Sequence, residues 1–179
     1  MRRTLVVAAM VLAVFTAGCQ REESSPPLVP KNLPPGGGSI VFNDEINTLE
    51  KVLEKNPKDL SALIRLGNLY MDSKRFKEAA ELYGRSLEID PKNTDVRVDM
   101  GTCYRSMGSP DIALQNYAKA IEINPNHANA HLNSGVVLFD DMKNYPAAIK
   151  EFERFLEIEP DSPRAAQIRS LIADLKKYK

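Results

Sequence analysis

The sequence holds few of the residues from which active sites and metal sites are built. Its 179 residues include two cysteines, two histidines and no tryptophan. Cys19 and Cys103 cannot form a disulfide framework, and Cys103 lies in a helical pattern that favours a small buried hydrophobe. His127 and His131 have no obvious third metal ligand nearby. We expect His127 to be solvated in a turn and His131 to lie in a helix.

The sequence also lacks the short motifs of common enzyme classes. It contains no Gly-rich phosphate loop and none of the patterns G-x-S-x-G, H-E-x-x-H or C-x-x-C. The acidic pairs Glu22-Glu23 and Asp140-Asp141 fall in a predicted tether and a predicted turn. We therefore predict no enzymatic activity, no metal, no cofactor and no small-molecule substrate.

Neither sign of charge is in excess. Lys plus Arg total 24, and Asp plus Glu total 24, so the charge gives no reason to expect nucleic acid as a partner. With 43 % hydrophobic and 27 % charged residues, the composition is that of an ordinary globular chain. The length suits one modest domain.

The longest apolar run, Thr4–Ala17, has 14 residues, fewer than the roughly 20 that a membrane-spanning helix needs. It follows Met1-Arg2-Arg3 and precedes Gly18 and Cys19. A positive start, an apolar centre and small residues in this order are typical of an export signal. An uncleaved transmembrane anchor is the alternative, which the shortness of the run disfavours.

The segment TAGC, residues 16–19, resembles the lipobox of bacterial lipoproteins, although Thr16 stands where that family usually carries leucine. The resemblance implies that residues 1–18 are a lipoprotein signal peptide and that Cys19 is lipidated through its sulfur after cleavage. Acyl chains contribute about 0.8 kcal/mol of membrane affinity for each buried methylene, so we expect a firm anchor. An ordinary secretory signal with an incidental cysteine is the alternative.

Two features after the predicted cleavage site bear on where the chain works. Gln20 is not aspartate, which by resemblance to the sorting of enterobacterial lipoproteins implies an exported chain in the outer membrane, facing the periplasm. Residues 19–42 contain five prolines and the run Gly36-Gly37-Gly38. Such a segment is predicted to be a tether that reaches roughly 25–30 Å.

Beyond the tether, proline recurs at a nearly constant spacing. Pro57, Pro91, Pro125 and Pro160 are separated by 34, 34 and 35 residues. An internal period of this length indicates a repeat protein. The third repeat has one extra residue in the turn around 140–143. The period divides this part of the chain into three aligned blocks: residues 60–93, 94–127 and 128–162.

The three blocks share a pattern of large, small and aromatic residues. In the first block these are Leu63, Leu66, Gly67, Tyr70, Ala79, Tyr83 and Pro91. The pattern resembles that of the tetratricopeptide (TPR) family, W-x2-L-G-x2-Y…A-x3-F…P, although no block has an aromatic residue at the tryptophan position. The resemblance implies an all-α fold, a right-handed α-solenoid of three TPR helix pairs over residues 43–179. It also implies capping helices at about 43–56 and at 163–178.

Two kinds of glycine in the repeats lead to separate predictions. Gly67, Gly101 and Gly135 each cost a helix about 1 kcal/mol relative to alanine, so their repetition predicts close approach to a bulky ring of the paired helix. Gly108 stands between two predicted helices in the segment MGSPD. There we expect a left-handed C-cap, followed by Ser109 as the N-cap of the next helix.

The resemblance further implies that the first helix of each pair lines a concave groove for a peptide or helix of a partner protein. It assigns these residues to the groove: Ile64, Asn68, Met71, Val98, Thr102, Arg105, Asn129, Leu132, Asn133, Val136 and Phe139. The lining is mixed in two repeats and apolar in the third, so the expected guest is a segment with hydrophobic anchors. Packing of single positions against a neighbouring repeat or a capping helix is the alternative.

One TPR subclass binds chaperones by clamping a terminal carboxylate between lysines and arginines. The equivalent positions here hold Ile64, Asp99 and Asn129, and Asn68 retains the asparagine. The sequence therefore predicts no carboxylate clamp.

With the export signal, these features predict a lipid-anchored TPR adaptor that binds a partner protein at the bacterial cell envelope and contacts the membrane through Cys19. The repeats resemble those of periplasmic TPR proteins that act in cytochrome c maturation. The alternatives are an assembly factor for pili, secretins or outer-membrane proteins, and a self-oligomerising structural protein.

Overall fold

The computed structural model describes residues 37–178, with side chains from residue 43 to residue 177. The predicted signal peptide and Cys19 lie outside the described residues. Within them the chain forms eight α-helices and no strand: α1 (Gly37–Lys55), α2 (Leu60–Asp72), α3 (Phe76–Ile89), α4 (Thr94–Ser106), α5 (Pro110–Ile123), α6 (Ala128–Val136), α7 (Tyr145–Ile158) and α8 (Ala165–Leu175). A π-helical turn, Val137–Asp141, follows α6, and a short 3-10 turn, Lys176–Tyr178, follows α8.

The helices pack as consecutive pairs. Helix α2 packs on α3, α4 on α5, and α6 on α7. The pairs stack because α3 also packs on α4 and α5 on α6, and α8 packs on α7 at the end of the array. The prediction of an all-α array of helix pairs is confirmed.

Helix α1 begins at Gly37, earlier than the predicted start near residue 43. The last proline before it is Pro35, and none occurs again until Pro57, beyond the end of the helix at Lys55. The helix therefore extends into the segment that was predicted to be tether.

Apolar and polar contacts join α1 to α2. Ile46 belongs to the buried cluster of the first repeat. Glu45 accepts two hydrogen bonds from the Arg65 guanidinium, at 2.6 and 3.0 Å, and Glu50 accepts one from the Tyr70 hydroxyl at 2.5 Å. Burial and the bond to Glu50 raise the pKa of Tyr70. Helix α1 thus covers apolar surface that the first repeat would otherwise expose.

The first helix of each repeat begins after a residue whose side chain caps it. Asp59, Asn93 and His127 each accept a hydrogen bond from the backbone N–H three residues later, at 2.9, 3.1 and 3.3 Å. These bonds satisfy N–H groups that have no partner within the helix. The expectation that His127 is solvated is wrong, because this capping residue is 8 % exposed.

The turn inside each pair contains one residue with a left-handed backbone. These residues are Lys74, Gly108 and Lys143, with φ of 60°, 77° and 55°. The left-handed conformation predicted for Gly108 is confirmed. Ser109 lies at the N-cap of α5, but its side chain makes no capping hydrogen bond.

The extra residue of the third repeat is absorbed by the π-helical turn after α6. The Met142 N–H donates to the Val137 carbonyl at 3.1 Å, which is the five-residue spacing of a π-helix. A wider last turn takes up one additional residue without ending the helix. Lys143 therefore reaches the same left-handed position as Gly108, although the third repeat is longer.

The repeated prolines mark carbonyls that accept hydrogen bonds from side chains. The carbonyls of Pro57, Pro91, Pro125 and Pro160 are bonded by Arg85, Arg97, His131 and Arg169, at 2.9, 3.0, 3.1 and 2.8 Å. Such carbonyls, just beyond a helix end, have no partner within the helix. Arg97 and His131 make this bond from the tryptophan position of the TPR pattern.

The three repeated helix glycines are confirmed as sites of close approach. A Cβ atom at Gly67 would lie 2.7 Å from Cε1 of Tyr83. The corresponding distances are 2.6 Å for Gly101 and Tyr117 and 2.5 Å for Gly135 and Phe152. These distances are too short for carbon atoms, and the rings are fully buried. Any larger residue would push the two helices of a pair apart.

This contact predicts opposite effects of the same substitution at two helix glycines. Gly67→Ala should lower the free energy of unfolding by about 1–3 kcal/mol, because the buried Tyr83 ring cannot move aside. Gly84 in α3 has nothing within 4 Å of a Cβ position, so Gly84→Ala should raise stability by about 1 kcal/mol through helix propensity. Denaturant unfolding of both variants measures the difference, and a gain from Gly67→Ala would contradict the packing described here.

Candidate partner-binding face

The residues predicted to line a groove lie on α2, α4, α6 and the π-helical turn. Their exposure separates them into three groups. Asn129 is exposed; Ile64, Asn68, Met71, Thr102, Arg105 and Asn133 are half-buried; Val98, Leu132, Val136 and Phe139 are buried. We call the exposed and half-buried residues the first-helix face.

The buried group corrects the prediction of an apolar groove wall in the third repeat. Leu132, Val136 and Phe139 are 1, 4 and 9 % exposed. Val98 shows how such a position is filled, because it shares a buried cluster with Val137 of the next repeat, and Leu132 holds the equivalent position one repeat later. Burial of large apolar side chains stabilises the fold, so these residues are packed in the structure and do not form an open wall.

In the first repeat, Asn68 is bonded to the ring that packs against Gly67. The Tyr83 hydroxyl donates to Oδ1 of Asn68 at 2.8 Å and lies 3.8 Å from the sulfur of Met71. The structure thus brings two predicted groove residues together around one tyrosine. Asn68, which the sequence suggested for holding a partner's backbone, also positions Tyr83.

In the second repeat, Thr102 has the corresponding role. Its hydroxyl donates to the Val98 carbonyl at 3.1 Å. The two oxygen lone pairs then accept from the Tyr117 hydroxyl at 3.2 Å and the Asn133 amide at 3.5 Å. Because Asn133 belongs to the third repeat, these bonds connect two predicted groove residues across a repeat boundary.

Arg105 is neutralised by two carboxylates that the sequence did not suggest as its partners. Its guanidinium is 2.7 Å from Asp141 and 3.2 Å from Asp140. All three side chains are about one-third exposed, at 30, 33 and 26 %. The π-helical turn carries both aspartates. The sequence features that could have indicated this ion pair are the inserted residue of the third repeat and the acidic pair in the same turn. Arg105 is therefore already paired before any partner arrives.

We expect this pair to couple the second and third repeats energetically. Arg105→Gln should lower the free energy of unfolding by about 1 kcal/mol or less at low salt, and less at high salt, because partly exposed charges are screened. A double-mutant cycle with Asp141→Asn isolates the coupling energy. The control is the more exposed Lys119–Glu122 pair of α5, which should couple more weakly. Equal coupling energies in the two cycles would contradict a stabilising ion pair between the second and third repeats at Arg105.

The two histidines are more buried and make more hydrogen bonds than their sequence positions suggested. His131 is 6 % exposed, with Nδ1 2.7 Å from Oε2 of Glu151 and Nε2 3.1 Å from the Pro125 carbonyl. Nε2 of His127 lies 3.1 Å from Oδ1 of Asp95. The signal for His131 was its place at the tryptophan position of the pattern, which is a position that takes large buried side chains.

Cys103 is a buried thiol, as predicted. It is 0 % exposed, and burial, followed by the nearby charge of Asp99, raises its pKa to about 12. A thiol that stays protonated at neutral pH is a poor nucleophile and a poor metal ligand.

Two observations concern other kinds of site. Among the described residues, no three His, Cys, Asp or Glu side chains are grouped so that they could hold a metal ion. The helices of the same part of the chain are too short or too polar to cross a membrane.

Comparison with known proteins agrees with this geometry. Residues 61–93 match the family model of the tetratricopeptide repeat, and residues 101–141 match a second model of the TPR repeat. The chain contains tetratricopeptide repeats. The comparison with curated proteins gave no match.

Solved structures with similar folds include TPR domains of other proteins. A crystal structure of MamA protein is 24 % identical, with a TM-score of 0.67 over 79 % of this chain and 80 % of that one. The first TPR of Spaghetti (RPAP3), bound to the HSP90 peptide SRMEEVD, is 22 % identical, with a TM-score of 0.60 over 66 % and 91 %. The Arabidopsis OM64 TPR domain is 19 % identical, with a TM-score of 0.61 over 67 % and 96 %. These likenesses show that the TPR solenoid is the fold of this chain.

Proposed function

We propose that the chain is a lipid-anchored adaptor of the bacterial cell envelope whose first-helix face binds an extended or helical segment of a partner protein. The observation that carries the proposal is the row of exposed and half-buried side chains on the first helices of three consecutive repeats. Side chains at this spacing on a stacked scaffold offer one partner segment several contacts in register.

The chemistry of the face bears on the class of partner. The RPAP3 repeat holds a peptide that ends in aspartate, but Ile64, Asp99 and Asn129 stand here at the places where a carboxylate clamp has its key residues. Arg105, the basic residue of the first-helix face, is paired with two aspartates. The proposed partner segment is therefore held through its backbone by amides such as Asn129 and Asn133, and not through a terminal carboxylate.

The anchoring part of the proposal rests on the TAGC segment and the export signal before it. Cells that express the chain and are fed a labelled fatty acid should incorporate the label into wild type but not into Cys19→Ser, because the thiol is the acylated group. Cys103→Ser is the matched control and should be labelled like wild type. Label that persists in Cys19→Ser would contradict a lipid anchor at this residue, and fractionation of labelled cells tests the outer-membrane location.

Site-specific photo-crosslinking in the native cells tests the binding face. A photoreactive residue at Asn129, exposed on α6, should form adducts with a partner protein, whereas one at Gln115, exposed on α5, should not. The two positions are alike in exposure but belong to the first and second helices of their pairs. Adducts of the same partner from both positions, or from Gln115 alone, would contradict the assignment.

The identity of the partner that is crosslinked at Asn129 also distinguishes between the envelope functions that the resemblances imply. Apocytochrome or heme-lyase peptides would place the adaptor in cytochrome c maturation, and subunits of pili, secretins or outer-membrane proteins would make it an assembly factor. Recovery of a second copy of this chain would instead support the self-oligomerising structural role. Light scattering of the Cys19→Ser chain tests that last role independently, because a monomer at all concentrations excludes it.

A further inference from the structure

The chain has two histidines, and both lie where the second repeat meets the third. His127 is 8 % exposed and His131 is 6 % exposed. We use the term histidine junction for these two residues with Asp95, Glu151 and the Pro125 carbonyl. The hydrogen bonds of the junction require a different number of protons on Nδ1 of the two rings.

His127 must be unprotonated at Nδ1. That nitrogen accepts from the Ala130 N–H at 3.3 Å, and the same N–H also donates to the His127 carbonyl at 3.0 Å. A proton on Nδ1 would point at the N–H group and remove this capping bond. The ring proton of His127 therefore sits on Nε2, which donates to Oδ1 of Asp95 at 3.1 Å.

His131 requires an additional proton. The Pro125 carbonyl can only accept, so Nε2, at 3.1 Å from it, carries a proton. Nδ1 is 2.7 Å from Oε2 of Glu151, and a neutral ring has no second proton for that bond. A hydrogen bond at this contact therefore requires a second proton, carried by the ring or by the carboxyl group.

We propose that the histidine junction is a pH-responsive joint that holds the third repeat on the second at neutral pH and loosens at the start of α6 in acid. Acid places a proton on Nδ1 of His127 and breaks the cap, while the proton that His131 shares with Glu151 stays in place. The added positive charge also lies at the positive end of the α6 dipole.

The charged groups around the two rings influence how strongly acid weakens the cap. In the described part of the chain, the carboxylates in contact with the two rings are Asp95 from α4 and Glu151 from α7. Arg154 of α7 lies alongside, bonded to Asn126 at 2.7 Å. Asp95 attracts a protonated His127, but its side chain is 76 % exposed, so solvent screens much of that attraction.

The other repeats provide pH-independent equivalents of both histidines. Asn93 caps α4 at the position that corresponds to His127, and Arg97 bonds the Pro91 carbonyl at the position that corresponds to His131. His127→Asn should therefore keep a cap that does not titrate. His131→Arg should keep a donor to Pro125 and a permanent positive charge beside Glu151.

Amide hydrogen exchange of the full chain, corrected for intrinsic rates, tests the joint at about pH 7.5 and about pH 5.5. In wild type, the protection of the backbone from Ala130 to Leu132 should fall about two- to fivefold in acid, the lower end of the range for a lost N-cap, because the Ala130 N–H keeps its bond to the His127 carbonyl. His127→Asn should abolish this fall, and His131→Arg should retain it. An equal fall in His127→Asn, or no fall in wild type, would overturn the proposal.

A second measurement keeps the proposal testable if a variant does not fold. Nitrogen NMR of the wild-type rings near neutral pH should show His127 protonated at Nε2 alone, and His131 protonated at Nε2 with a second proton between Nδ1 and Glu151. A proton on Nδ1 of His127 at that pH, or the absence of a proton between Nδ1 of His131 and Glu151, would overturn it.

Discussion

The structure depends on one repeated contact, an aromatic ring of the second helix pressed against a glycine of the first. At each of the three contacts there is no space for a Cβ atom. The two helices of a pair are therefore closer than side-chain packing normally allows, and the ring is completely enclosed. Each pair leaves an apolar surface that the next pair, or a single helix at the end of the array, covers by stacking, which is the physical basis of the array.

The same contact determines much of the chemistry of the first-helix face. In the first two repeats the residue after the glycine bonds the far end of the ring. Tyr83 and Tyr117 carry hydroxyls that bond Asn68 and Thr102, while the third repeat has Phe152, without a hydroxyl, and the buried apolar Val136. Two residues that the sequence suggested for binding a partner, Asn68 and Thr102, are therefore also hydrogen-bond partners of the tyrosine hydroxyls.

Features with local physical causes were predictable from particular residues. The glycine period predicted the ring contacts, Gly108 predicted a left-handed turn, and the apolar spacing predicted the helix pairs. The start of α1 was less predictable, because glycine costs a helix about 1 kcal/mol relative to alanine and yet does not exclude one. Contacts between repeats were not predictable, since a 34-residue alignment says which positions correspond but not which of them touch. The Arg105 pair and the Asn133–Thr102 bond are of this kind.

The sequence by itself determined the repeat length, the all-α class and the order of first and second helices. These follow from periodicity, turn chemistry and composition, which act over a few residues. Only the tertiary structure decided that Leu132 and Val136 are buried, that Arg105 is already neutralised and that two histidines are enclosed at one junction. Burial, charge pairing and the protonation demanded by a hydrogen bond depend on groups brought together from separate helices, and stacking is what brings them together.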